Sequence, residues 1–354
     1  MVDGKFILVV NQYNCDNLGD NLLNSLLCKN IKDAGYNVIN RGFAQTQPQK
    51  VSYKTDYSES NNIRELVKAK MPEHIKYLIK YKNRLDKETA NISTDNCIAI
   101  VIGGGQLLKS NSVFIDCLRY WVNWANTNSI PVYVYGVGID TGLSLSEIKI
   151  YKRILKSVEY INCRDYESEK ILKNVLGLNE VHVSPDVAFL LDRAPTKETD
   201  IILVMPYDYR TAVRAFGFSQ TKDEYYTYIK DMIEATKENK RVLLAATTSA
   251  DANECFMFAD FLRDYGIEAT ISQISDYEQL IATIGNAATV ITGRLHAMII
   301  CTVLGTPVIP IIVSDKILQF KNEYLDEKGD INKIRQSSRE GIAELLRQIG
   351  EEER

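Results

Sequence analysis

The chain has 354 residues, 45% of them hydrophobic and 25% charged, with a net charge of −4. That length predicts two domains at roughly 100–200 residues each, and the mild acidity argues against general nucleic-acid binding, which needs a basic surface. No apolar run reaches the ~18 residues of a spanning helix, because Gly305 and Pro307 cut the best candidate, 297–313; with no signal-peptide pattern at the start, a cytoplasmic location is expected.

In chain order, short apolar runs alternate with helical patterns, the signature of parallel α/β units. A strand at 6–10 leads to a helix at 20–34 and a strand at 37–39. The stretch 53–96 breaks the pattern. It reads as a polar, mostly helical insertion whose 64–87 portion is basic, either a solvated surface or an amphipathic face for an anionic membrane or lipid-diphosphate. A strand at 98–102 runs into Gly103-Gly104-Gly105, and a helix is expected at 113–127. A strand at 132–135 comes next, then a helix at 145–158 opened by a Ser144/Glu147 capping box. A strand at 160–163, a helix at 165–176 and a strand at 181–183 close the first half.

Polar 192–200 with Pro195 reads as a linker. The second series expects strands at 201–205, 241–246, 267–271, 289–292 and 308–313, helices at 222–238, 251–264, 276–287 and 295–304, and a last helix near 338–349. The division is a first domain over 1–192, a linker at 193–200, a second domain over 201–335 and a terminal helix in 336–354. Two open sheets in tandem create a cleft, and ligands bind beyond the carboxyl ends of their strands.

Seven cysteines, at 15, 28, 97, 117, 163, 255 and 301, form no CxxC pair, so reduced thiols and no zinc site are expected. The chemistry concentrates at strand ends. Gly293-Arg294-Leu295-His296 joins a buried strand to a helix, where free N–H groups and the helix dipole favour an anion. Arg294 adds a planar fork suited to carboxylate or phosphate; taken alone, the pair is also explained by a core histidine and a capping arginine. Arg164-Asp165 repeats the strand–arginine–helix grammar, so the two arginines form a candidate anion clamp, with Asp165 a candidate N-cap; taken alone, Arg164 is equally explained by pairing with a structural carboxylate. Gly103, Gly104 and Gly105 are a candidate oxyanion cradle or a tight turn. Asp20 and Asp186 are carboxylates able to face the cleft, or a cap and a turn residue, and Lys316 is a candidate extra cation or a surface lysine.

Together these pieces resemble the polysaccharide pyruvyl transferase family. The matching residues are Asn17-Leu18-Gly19-Asp20-Asn21, Val101-Ile102-Gly103-Gly104-Gly105, Tyr135-Gly136-Val137-Gly138, Arg164-Asp165, Ser184-Pro185-Asp186, Ile291-Thr292-Gly293-Arg294-Leu295-His296-Ala297, Gly305-Thr306-Pro307-Val308-Ile309 and Asp315-Lys316, in order from about residue 6 to 320. Arg210 is the candidate for an arginine that family members often carry near the first strand of the second domain. The resemblance implies two Rossmann-like domains facing a cleft, as in the GT-B glycosyltransferases. It implies transfer of the enolpyruvyl unit of phosphoenolpyruvate to a sugar, giving a pyruvate ketal and phosphate, with no cofactor and no metal. A polyprenyl-diphosphate-linked oligosaccharide is the acceptor that the resemblance and the basic 64–87 stretch suggest together; the family pattern has no counterpart for 53–96, so peripheral membrane contact through 64–87 rests on its composition alone.

In that reading Arg164, Arg294, Leu295 and Lys316 surround phosphoenolpyruvate, and His296 protonates its methylene carbon. Asp20 or Asp186 takes the hydroxyl proton. Histidine suits the acid role because free imidazole titrates at about pH 6.5. The runner-up is a nucleotide-sugar glycosyltransferase of the same fold, disfavoured because 295–304 (LHAMIICTVL) lacks a carboxylate for a ribose. A non-catalytic anion-binding module is the third reading; it leaves His296 without a task.

Overall fold

The computed structural model describes residues 4–44, 50–53, 81–192, 199–236, 240–326 and 329–352. Most of the expected basic insertion and of the linker, 54–80 and 193–198, lies outside the described residues.

Strands β1 (Phe6–Asn11), β2 (Asn37–Gly42), β3 (Cys97–Leu108), β4 (Val132–Ile139), β5 (Tyr160–Cys163) and β6 (His182–Val183) form one sheet in the order β2-β1-β3-β4-β5-β6. Strands β7 (Ile201–Met205), β8 (Arg241–Leu244), β9 (Ala269–Ile271), β10 (Thr289–Thr292) and β11 (Val308–Pro310) form a second, ordered β11-β10-β7-β8-β9. Every strand pair is parallel. That explains the unbroken apolar runs: all six residues of β1 and all eight of β4 are buried, as in sheets covered on both faces.

The helices are α1 (Leu18–Asp33), α2 (Asn83–Ala90), α3 (Ser112–Thr127), α4 (Leu145–Leu155), α5 (Tyr166–Lys170), α6 (Tyr209–Phe216), α7 (Lys222–Thr236), α8 (Ser249–Asp264), α9 (Tyr277–Gly285), α10 (Leu295–Leu304), α11 (Asp315–Phe320) and α12 (Ile331–Glu352). Their starts are written locally. Asn17, Asn111, Asp165, Asp208, Thr248 and Asp276 each accept a backbone N–H from the first turn of the adjoining helix, and Ser144 and Glu147 form the expected capping box.

One apolar cluster covers the outer face of the first sheet under α3 and α4. A second runs from the inner face of that sheet, through Leu18, Leu22, Leu23 and Leu26 of α1, into the second sheet. Helix α1 therefore sits between the two sheets. Hydrogen bonds reinforce the join: Leu18 N–H donates to Thr247 O at 2.9 Å and Ser52 N–H to Ser249 Oγ at 3.0 Å. Helix α12 returns to the first sheet. Arg335 donates to Phe189 O and Leu191 O at 3.3 and 2.7 Å, and Ile342, Leu345 and Ile349 are buried.

The largest departure from expectation is at the glycine trio. The strand does not end at 102; β3 continues through Gly103, Gly104 and Gly105 to Leu108. Gly103 lies where a Cβ would strike Tyr135 O, while Gly104 and Gly105 pack under Leu23 with φ of 78° and 100°. The trio lets β3, β4 and α1 approach closely and is buried inside the fold. Helices α6 and α11 were not expected, and α12 starts earlier than 338 because Ile331 and Ile334 join the core.

Candidate active site

The order of the second sheet reverses between β7 and β10, and such a switch point opens a crevice at the strand ends. Thr292 pairs with Met205 across it. Strand β10 is fully buried, so it gives the joint at 293–296 a rigid base. Gly293 has no room for a side chain: a Cβ would lie 3.2 Å from Tyr207 Cβ and 3.4 Å from Ile311 O. Arg294 then takes an extended conformation (φ −104°, ψ 119°), its N–H held by Thr292 Oγ1 at 3.1 Å.

The Arg294 guanidinium lies 3.8 Å from the centre of the Tyr207 ring, a cation–π contact. Its Nη2 donates to Thr248 Oγ1 at 3.3 Å and makes a close ion pair with Asp251. Asp251 is 1% exposed and also accepts from Asp208 N–H at 3.0 Å and Thr247 Oγ1 at 3.2 Å. The carboxylate is thereby satisfied, as a buried charge requires. Arg294 Nε is different: it is buried and makes no hydrogen bond within the protein. The same holds for His296 Nε2, in the first turn of α10. The His296 ring rests on the start of α1, where a Cβ on Gly19 would overlap it. Two buried nitrogens without partners therefore lie two residues apart at the switch point, and leaving such groups unpaired costs about 1–3 kcal/mol each.

The first domain supplies the facing wall. Arg164, 8% exposed, donates to Asp186 Oδ2 at 3.0 Å and to Gln106 Oε1 at 3.2 Å. Close approach is possible because Gly138 presents no side chain to it. Asp165 caps α5 through Ser168 N–H at 2.7 Å. Asp186 is 4% exposed, pairs with Arg164 and caps the turn at 187–190 through Ala188 N–H at 2.9 Å. Asp20 is only half-buried and accepts from Asn17 Nδ2 at 3.0 Å. The two carboxylates left open by sequence thus differ: Asp186 is committed to an arginine and a cap, and Asp20 follows Gly19, the residue on which the His296 ring rests.

Lys316, from α11, reaches across to Gln106 Oε1 and lies 3.9 Å from Asp140. Burial, with Arg164 and Lys109 nearby, pushes its ammonium down to about 8, although Asp140 pulls the other way. Gln106 links the two walls, accepting from both Arg164 and Lys316 while its amide contacts Asp140.

Asp20, Arg164, Asp186, Arg294, Leu295, His296 and Lys316 line one cleft of about 1130 Å³. Gly103, Gly104 and Gly105 do not line it: the strand that contains them packs against α1, so the expected cradle is corrected to a packing site. Arg210 is also off the cleft. It is exposed on α6, whose Thr211, Ala215 and Phe216 face inward instead. The other reading of Arg164, an arginine paired with a structural carboxylate, is met by Asp186, and Arg294 likewise holds the buried Asp251. Sequence reasoning missed Asp251, Tyr207 and Gln106; a polar Gln106 interrupting the run GGGQLL was the available signal.

A model of the family described as polysaccharide pyruvyl transferase matches residues 17–315. No curated protein matches the chain. Among solved structures, one described as a UDP-N-acetylglucosamine 2-epimerase from Listeria monocytogenes superposes with a TM-score of 0.51 at 9% identity, over 94% of this chain and 91% of that one. The rhamnosyltransferase SpnG of spinosyn synthesis gives 0.49 at 11% over 98% and 100%, and a UDP-GlcNAc 2-epimerase from Methanocaldococcus jannaschii 0.47 at 12% over 86% and 83%. At such identities the likeness speaks of fold alone, and that fold is the GT-B arrangement of two Rossmann-like domains.

Proposed function

The chain belongs to the polysaccharide pyruvyl transferase family, and we propose that it moves the enolpyruvyl unit of phosphoenolpyruvate onto two hydroxyls of a sugar in a polysaccharide precursor, forming a pyruvate ketal and releasing phosphate. The observation that carries this reading is the pair of buried, unpartnered nitrogens, Arg294 Nε and His296 Nε2, in a cleft that also holds Lys316 and Arg164. Phosphoenolpyruvate offers two anionic groups to such donors, and charge-assisted hydrogen bonds are the strong ones.

In this mechanism Arg294 and Lys316 bind from the second domain and Arg164 from the first. The dianion replaces Gln106 as the partner of Lys316. His296, as imidazolium, gives its proton to the methylene carbon, and positive charge develops at the adjacent carbon that bears phosphate. A sugar hydroxyl attacks there and Asp20 takes its proton; Asp186 stays with Arg164. Expulsion of phosphate regenerates the cationic centre, the second hydroxyl closes the ring, and its proton leaves with phosphate. The proton on Asp20 restores His296, so the cycle balances. A ribose-binding carboxylate is missing from α10, which disfavours a nucleotide-sugar donor.

The test supplies phosphoenolpyruvate with a panel of free and lipid-linked oligosaccharides. The expected result is phosphate release with a product heavier by pyruvic acid minus water. His296→Ala should still be stabilised thermally by phosphoenolpyruvate yet lose turnover by about 10²–10⁴-fold, the usual range for a lost acid. Stabilisation by a nucleotide-sugar and not by phosphoenolpyruvate would overturn the reaction. Activity of His296→Ala within a few-fold of wild type would remove the acid from its role.

A further inference from the structure

A second groove, of about 680 Å³, opens on the adjoining face of α1, between that helix, β2 and the start of α9. Asn21, Asn24, Ser25 and Cys28 share this face at i, i+3, i+4 and i+7. A helix wedged between two domains would ordinarily present apolar residues there. Here the stripe is polar, and Asn24 is only 5% exposed. Its amides are incompletely used. Asn21 Nδ2 donates to Cys15 O at 2.8 Å, but Asn21 Oδ1 and, across the groove, Asn40 Oδ1 are buried without hydrogen-bond partners. Tyr13 and Tyr277 supply rings, and Tyr277 reaches over from the second domain to Ser25 at 2.8 Å.

These side chains set the chemistry of the occupant. Lys29 and Lys32 are matched in the lining by Asp33 and Asp276, and Lys29 is paired with Asp33 at 3.5 Å and Asp192 at 3.3 Å. The groove therefore offers no surplus charge to a phosphate. Amides present both donors and acceptors, and tyrosines present an apolar face with a hydroxyl at its edge. That set suits a neutral ligand with many hydroxyls and flat apolar faces. Asp20 on the cleft and Asn21 on the groove are consecutive residues, so the two cavities lie on adjoining faces of the first turn of α1.

We propose that this groove is a carbohydrate subsite, holding the neutral sugars next to the one modified in the cleft; the assignment to an acceptor rests on the pyruvyl-transfer reading, the carbohydrate site does not. The test is saturation-transfer NMR of the full chain with lactose, cellobiose, chitobiose and inorganic phosphate, without phosphoenolpyruvate. At least one disaccharide should bind, and Tyr13→Ala and Asn40→Leu should each weaken it about tenfold or more, the loss of a good polar or ring contact. Tyr277→Phe, which keeps the ring, should bind more tightly than Tyr277→Ala, and thermal stabilisation by phosphoenolpyruvate should be unchanged in all four. With a competent long acceptor, the groove variants should raise its KM and leave kcat and the KM for phosphoenolpyruvate alone. Sugar binding that is absent, unaffected by the groove variants, or replaced by phosphate binding there would overturn the proposal. A sugar that binds the groove while no acceptor is ever pyruvylated would leave the subsite standing and sink only the reaction.

Discussion

At the scale of single residues the cleft is organised by what each charge already holds. Arg294 is fixed by Asp251 and Tyr207, and Arg164 by Asp186, so neither swings freely toward a ligand. Breaking a buried pair of this kind costs about 3–5 kcal/mol, because the remaining charge is stranded. Lys316 is the adjustable cation: 40% of its side chain is exposed, and its ammonium is pushed down to about 8. Below that pH it carries a charge and attracts an anion; above it the charge is lost. Binding of phosphoenolpyruvate to His296→Ala, which lacks the imidazole's own titration, should therefore be tight on the acid side and show an alkaline limb, weakening as pH rises through about 8. A phosphate monoester is already a dianion there, its second ionisation lying near pH ~6. Lys316→Arg should move that alkaline limb out of reach, since a guanidinium stays charged. A limb that persists unchanged in Lys316→Arg would assign it to another group. Arg294 and His296 were legible in sequence because they interrupt an apolar run. Asp251 and Gln106 were not, because each meets its arginine only after a long stretch of intervening chain has been folded back.

At the scale of elements, strand and helix alternation was readable because parallel strands are uniformly apolar and their helices carry local caps. The glycine trio misled for a physical reason. A Gly-Gly-Gly run after an apolar strand reads as a loop, yet its small residues serve equally to bring neighbouring backbone close. Gly103→Ala would set a Cβ 2.8 Å from Tyr135 C, and backbone cannot retreat within a sheet. The expected cost is about 1–3 kcal/mol, as for other overpacked sites. Urea unfolding should show it as a lower midpoint at unchanged slope. Gly142→Ala, with nothing within 4 Å of the new atom, is the control and should stay within about ±0.5 kcal/mol. Equal stability of the two variants would mean that the close approach of β3 and β4 is not what the glycine serves. Helices α6 and α11 were not legible because they are short, 8 and 6 residues, and their patterns span barely two turns.

At the scale of the molecule the two sheets share one apolar cluster through α1, and α12 straps the chain end onto the first sheet. Domains joined this way should melt together. Calorimetry is expected to give one transition, and Leu345→Ala, which empties a fully buried site on α12, should shift it whole, at a cost of about 2–5 kcal/mol. Two resolved transitions, only one of them moved by Leu345→Ala, would show the domains to be independent. Among the described residues no helix is long and apolar enough to cross a membrane. The expected membrane-facing portion falls largely on 54–80, outside the described residues.

Sequence by itself determined the α/β class, the tandem arrangement of two parallel sheets and the polar joint at Gly293–His296. These rest on periodicity, caps and the contrast of a charged residue with apolar neighbours, all local properties of the chain. Tertiary structure alone decided which carboxylate each arginine holds, that Gly103–Gly105 pack instead of cradling a ligand, that Arg210 faces away, and that Asp186 is tied to Arg164 while Asp20 accepts from Asn17. Those outcomes depend on which distant segments meet, and a covalent chain does not encode distance between residues that lie far apart along it. The amide-lined groove beside α1 belongs with them: its stripe is visible as Asn21, Asn24 and Ser25 in one helix, but only the second domain closing over it makes the stripe a site.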